Sequence, residues 1–270
     1  ASDAIAEIDE NNNVKGIPVY VNGSADTPAD LAVSAISAPA SIKAGDDVTI
    51  SYQIANVGEF TANGTLNDVI YLSKNKTWDK DDLMVGVVSG KVNINPGEQA
   101  TRTVTGRITN VPEGDYYVVV KTNSTKTIAE LSDKNNTGIA SSPSRLSFTT
   151  ITLGSSASVN TSGYYKLEIP GGYEGKTVGF YLDHPEGASA GMYAAFGSVP
   201  STAKYDISSS ASQGTQQELL IPNVKAGSYY ILAQDNAALV NATGNVFSES
   251  GSDLTKVTPM TINAKEVNFG

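Results

Sequence analysis

The sequence predicts an all-β protein built of two β-sandwiches in tandem. Three observations carry the prediction. Short runs rich in Val, Ile, Leu and Tyr alternate apolar with polar residues. Turn-forming Gly, Asn, Asp and Pro interrupt these runs about every ten residues, a spacing that suits sandwiches better than βαβ units. The length of 270 residues is that of two ordinary domains, each long enough to bury a core.

The elements follow in order along the chain. A cluster of turn formers, NGSADTPAD, precedes the strand DLAVSAIS and marks a boundary near residues 22 to 30. DDVTISYQIANVG sets Val48, Ile50, Tyr52 and Ile54 on one face of a strand. DVIYLS sets Val69, Tyr71 and Ser73 on one face and Ile70 and Leu72 on the other. EGDYYVVVKTN and the run from Arg145 to Phe148 close the first strand set. The Ser/Gly/Asn-rich stretch around TTITLGSSASVNTSG reads as the main boundary, so the two modules are expected at 29–149 and 155–264. YYKLEIP, VGFYL, QELLIPNV and GSYYILAQ supply the second strand set. Short helices are expected at most at SDLTKV and near AALV.

One segment is echoed. Ile5, Ala6, Glu7, Asn12 and Asn13 match Ile128, Ala129, Glu130, Asn135 and Asn136 at an offset of about 123 residues, the span of one domain. Residues 1–22 therefore read as the closing strands of an upstream repeat, or as a linker if the short match is coincidence.

The order of motifs in residues 29–149 resembles the bacterial cell-adhesion-related domain, CARDB. The resembling features are an opening strand pair ending in Asn56-Val57-Gly58, a "YLS" strand with an acidic loop, the Pro-Gly turn of NINPGEQAT, and the closing IAELSDKNN. Residues 155–262 resemble the bacterial pre-peptidase C-terminal domain through YYKLEIPGGYEGKTVGFYL, FGSVPSTAKYDISS and QELLIPNVKAGSYYILAQ. The acidic strand usual in that family is replaced here by GMYAAFG. These resemblances imply an immunoglobulin-like sandwich followed by a jelly-roll-like one. They also imply non-catalytic accessory modules of an extracellular or cell-surface bacterial repeat protein, with neighbouring modules of the same chain as partners. A glycan or a surface protein is the alternative partner.

Composition narrows the chemistry. A formal charge of −10 opposes nucleic-acid binding, which needs a basic face. No apolar run is long enough to span a bilayer. The absence of cysteine removes disulfides and thiolate sites, and the single His184 leaves no usual zinc set. Ser189 sits in a G-x-S-x-G pattern, but a turn precedes it and the only histidine lies upstream, so a small-residue loop is the better reading. Carboxylate pairs for glycoside hydrolysis are separated in space rather than in sequence, and the aromatic content of 7% is low for a sugar cleft.

The loop SKNKTWDKDD leaves two readings open. Asn75, Thr77, Asp79 and Asp81 alternate oxygen-bearing side chains, with Asp82 adjacent, so Asn75, Asp79, Asp81 and Asp82 are candidate calcium ligands. Lys80 at the position of the turn glycine, and the lack of a closing glutamate, fit a solvated hairpin with Trp78 packed at its base. Glu130 and Asp133 are a lesser metal candidate. The Asn-Asn pairs suit tight turns, and the sequons at Asn63 and Asn241 matter only in a glycosylating host. In the tyrosine pairs Tyr116-Tyr117, Tyr164-Tyr165 and Tyr229-Tyr230, one ring is expected inside the sandwich. The other faces out, for cross-strand packing or for a glycan or protein contact.

Overall fold

A computed structural model describes residues 28–154, 156–159, 162–183, 190–209, 216–235 and 260–267. The expected upstream segment, both short helices, His184, Ser189 and Asn241 lie outside the described residues. Within them every regular element is a β-strand, so the all-β sandwich prediction holds.

The first sandwich packs a three-stranded sheet on a six-stranded one. The smaller sheet has the order β1 (Leu31–Ser37), β3 (Asp47–Asn56) and β6 (Gln99–Arg107). The larger has the order β2 (Ser41–Lys43), β9 (Ser144–Ser147), β7 (Gly114–Lys121), β4 (Ala62–Ser73) and β5 (Leu83–Ile94), and β8 (Thr137–Ile139) also pairs with β7. The alternation read from the sequence is the alternation of burial. Val48, Ile50, Tyr52 and Ile54 point inward from β3, and Leu66, Ile70 and Leu72 from β4. Ser73 departs from the pattern and is buried: its hydroxyl donates to Thr77 O at 3.1 Å and starts the next loop.

A polar group crosses this core. Asp68 is fully buried on β4. Its Oδ2 accepts from the Tyr52 hydroxyl of the opposite sheet at 2.8 Å, and its Oδ1 from Thr122 Oγ1 at 2.7 Å. Arg102 Nε of β6 stands 2.9 Å from Oδ2 with its N–H turned off the line, so the contact is an ion pair without an aligned hydrogen bond. Burial raises the Asp68 carboxyl above its ordinary value, against the pull of Thr122, Arg102 and Tyr52.

The second sandwich takes in a short strand just after the first. β10 (Thr149–Ile151) pairs in parallel with β12 (Ser162–Ile169) and so belongs to a sheet of the second sandwich. Three residues of strand carry too little alternation to be read against a Ser/Gly-rich background. One sheet has the order β10, β12, β17 (Gly227–Asp235), β14 (Ala190–Phe196) and β15 (Ile207–Ser208). The other has the order β11 (Ser156–Val159), β18 (Met260–Val267), β13 (Thr177–Asp183) and β16 (Gln216–Ile221). Leu167, Phe180, Met192, Leu219 and Ile231 fill the space between them.

Candidate functional site

The densest polar construction lies where the chain enters the first sandwich. Asn56, the last residue of β3, is fully buried and its side chain makes four bonds. Its Nδ2 donates to Phe60 O at 2.7 Å and Ile94 O at 2.8 Å, and its Oδ1 accepts from Asp30 N and Gly58 N, each at 3.1 Å. A Cβ on Gly58 would fall 2.4 Å from Pro28 O, so only glycine lets the entering strand lie this close. The Asn-x-Gly signature is thus a clamp on residues 28–30.

The echoed segment completes the clamp. Glu130 Oε2 accepts from Leu31 N at 2.7 Å, while Oε1 accepts from Asn136 Nδ2 at 2.8 Å and from Asn123 Nδ2. Asn135 Nδ2 donates to Asp30 Oδ1 at 2.9 Å, and Ile128 is buried in the core. Asn123 holds a left-handed φ of 46° and turns the chain so that its amide reaches both Ile128 O and Glu130. Three of the five echoed residues, Glu130, Asn135 and Asn136, are therefore those that fasten β1 to the end of the domain. The exposed stretch between them, Leu131 to Lys134, differs from its counterpart in the first copy. Glu130→Ala would strand three donors, and is expected to cost about 2–3 kcal/mol in urea unfolding.

The candidate calcium loop has a different arrangement. Asn75 Oδ1 accepts from Thr77 N at 2.7 Å, Asp79 Oδ1 from Asp81 N at 2.9 Å, and Asp82 Oδ2 from Asp79 N at 3.0 Å. Each of these oxygens accepts from the loop's own backbone, in the manner of Asx turns. Among the described residues no three His, Cys, Asp or Glu side chains gather as a metal cluster. Trp78 packs at the base of the loop, its ring edge-on to Tyr71 at 6.0 Å, with Lys121 Nζ 3.5 Å from the Trp78 ring centre.

A third construction joins the two sandwiches. Tyr165 and Tyr229 enter the second core, while their neighbours Tyr164 and Tyr230 face out and meet the first module. Phe148 stands edge-on to both, with ring centres 6.2 Å from Tyr164 and 5.0 Å from Tyr230. The first hydrophobic core runs without a break through Phe148 to Tyr164 and Leu232. Gly45, at φ 89°, lets the β2–β3 turn lie against Gly163, whose Cα would stand 3.0 Å from a Cβ there. Beside the rings, Lys166 Nζ bridges Glu113 Oε2 at 3.2 Å and Glu168 Oε1 at 2.8 Å, and Ser228 donates to Glu168. The hydrogen bonds and charge of Lys166 and Ser228 hold the Glu168 carboxyl below its usual value.

These features meet in one comparison. Residues 28–140 match the family model of the CARDB domain. The matched span includes Asn56, Gly58, Glu130, Asn135 and Asn136, so the whole entry clamp lies inside the matched segment. Similar solved structures include the CARDB domain of a Pyrococcus furiosus protein, crystallised in complex with di-metal ions. It is 18% identical over 44% of this chain and 94% of that one, with a TM-score of 0.34. The solution structure of the same Pyrococcus furiosus CARDB domain is 19% identical over the same shares, with a TM-score of 0.33. A glucose-bound β-glucosidase from Listeria innocua is 12% identical over 44% of this chain and 16% of that one, with a TM-score of 0.29. No curated protein matches the chain.

Proposed function

We propose that this chain is a non-catalytic structural and adhesive unit of a large secreted or cell-surface bacterial repeat protein. The CARDB-type sandwich and a pre-peptidase C-terminal-like sandwich form its two stiff links. The observation that supports this reading is the joint at Phe148. The two folds share an apolar core and a charge bridge, and a single residue separates β9 from β10. A linker of flexible composition would let the modules swing, whereas a packed joint transmits orientation and keeps a distal domain at a set distance. Backbone 15N relaxation of the whole chain is expected to give one rotational correlation time for both modules. Two separate times, each that of a lone domain, would sink the spacer reading.

A second reading, an accessory module that binds glycan or a surface protein, has its own support. Tyr71, Trp78, Met84 and Val87 expose apolar surface on and beside the outer face of the β4–β5 pair, with Trp78 37% and Met84 58% exposed. A glycan array distinguishes the two. A spacer gives no hits, while hits that vanish in Trp78→Ala favour the accessory module.

A further inference from the structure

Two amide oxygens beside the entry clamp are buried and have no hydrogen-bond partner: Asn135 Oδ1 and Asn136 Oδ1. Neither amide can be turned over. Each Nδ2 already donates to a carboxylate, Asn135 to Asp30 and Asn136 to Glu130, and a flip would set oxygen against oxygen. Asn136 as a whole is 5% exposed, so bulk water does not reach its oxygen. Orphaned buried acceptors are rare in native folds, and two in succession call for a missing donor or cation.

The charges beside them decide between the two. Glu130 bonds only to neutral donors, namely Leu31 N, Asn123 Nδ2 and Asn136 Nδ2, and Asp30 only to Asn135 Nδ2. Among the described residues neither carboxylate forms an ion pair, although Lys126, paired with Asp133 at 2.7 Å, also acts on Glu130 through its charge. A water would satisfy the amide oxygens yet leave the half-buried Asp30 carboxylate with no opposite charge paired to it. We infer that Asn135 Oδ1, Asn136 Oδ1 and the Asp30 carboxylate bind one hard cation of the calcium class beside the Asp30–Leu31 peptide, while Glu130, both of whose oxygens already accept hydrogen bonds, holds Asn136 in place. The donors are all oxygen, mixing neutral amides with a carboxylate, which suits calcium and disfavours zinc or copper. The same donor types recur in the echo as Glu7, Asn12 and Asn13.

The test uses the full chain stripped by chelator and titrated with calcium chloride in a calorimeter. One ion per chain is expected to bind, with a rise in melting temperature that grows with calcium concentration. Asn135→Ala and Asn136→Ala should each weaken binding by about tenfold or more, while Asp79→Ala with Asp81→Ala leaves it unchanged. In the wild type the side-chain NH2 signals of Asn135 and Asn136 should shift during the titration, a readout that needs no variant. The proposal falls if there is neither heat nor shift, which would leave a buried water in the site. It falls equally if binding survives Asn136→Ala and is lost in the Asp79 and Asp81 variant, which would place the ion in the hairpin loop.

Discussion

Asp68→Ala is expected to lower the stability of the first sandwich by about 3–5 kcal/mol, because it breaks a buried ion pair and leaves the partner charge behind. Arg102 has 11% of its side chain exposed and would keep its charge with no carboxylate in reach of Nε. The Tyr52 hydroxyl and Thr122 Oγ1 would lose their acceptor in the same step. Urea unfolding followed by far-ultraviolet circular dichroism gives the midpoint shift. A change below about 1 kcal/mol, the value of a typical exposed ion pair, would show that the group is solvated. The pH dependence has a definite sign. The folded carboxyl holds its proton to higher pH than the unfolded one, so the native state binds more protons between the two values. The contribution of Asp68 is therefore greatest below roughly pH 4 and falls as pH rises through that window. The advantage of wild type over Asp68→Asn in unfolding free energy should shrink over the same range.

Phe148→Ala is expected to do two things at once. It removes an almost fully buried ring from the continuous core, at a cost of about 3–5 kcal/mol. It also deletes both edge-to-face contacts with Tyr164 and Tyr230, pairs worth about 0.5–1.5 kcal/mol each beyond their area. Calorimetry should then resolve two melting transitions in place of a coupled one, with Phe148→Leu intermediate. A variant that melts and tumbles like the wild type would place the coupling in the Lys166 charge bridge instead.

Local patterns were legible in the sequence, and convergent ones were not. The period-two burial of β3 and β4 follows from Val48 to Ile54 and from Ile70 and Leu72 alone, because a strand's faces are set by its neighbours in sequence. The echo of Glu130, Asn135 and Asn136 was visible as a repeat, but its purpose needed Leu31, about a hundred residues away, to be placed against it. The tyrosine pairs announced one inward ring and one outward ring. That Tyr164 and Tyr230 are the outward pair spent on Phe148 depends on how two domains abut, which no single-strand pattern records. The Asp68 cluster was overlooked for the same reason. Tyr52, Asp68, Arg102 and Thr122 come from four separate segments, and a lone aspartate in the strand NDVIYL gives no sign that it faces the core. The acidic loop is legible as alternating oxygens, and what the sequence does not show is that one oxygen each of Asn75, Asp79 and Asp82 accepts a backbone N–H within the loop.

The pairing of β2 with β9 carries a further consequence. The two strands run parallel, with Ser41 to Lys43 set against Arg145 to Ser147, and they lie near the two ends of the first domain. If the first sandwich were pulled by its two ends, tension would draw β2 back toward its own start and β9 onward past its end. The strands would be dragged in opposite senses along their common axis, so their hydrogen bonds would share the force and fail together. In an antiparallel terminal pair the same pull would open one rung at a time. Resistance to forced extension follows the unfolding barrier rather than the equilibrium free energy, so this arrangement gives the domain a mechanical toughness that its melting temperature does not reveal.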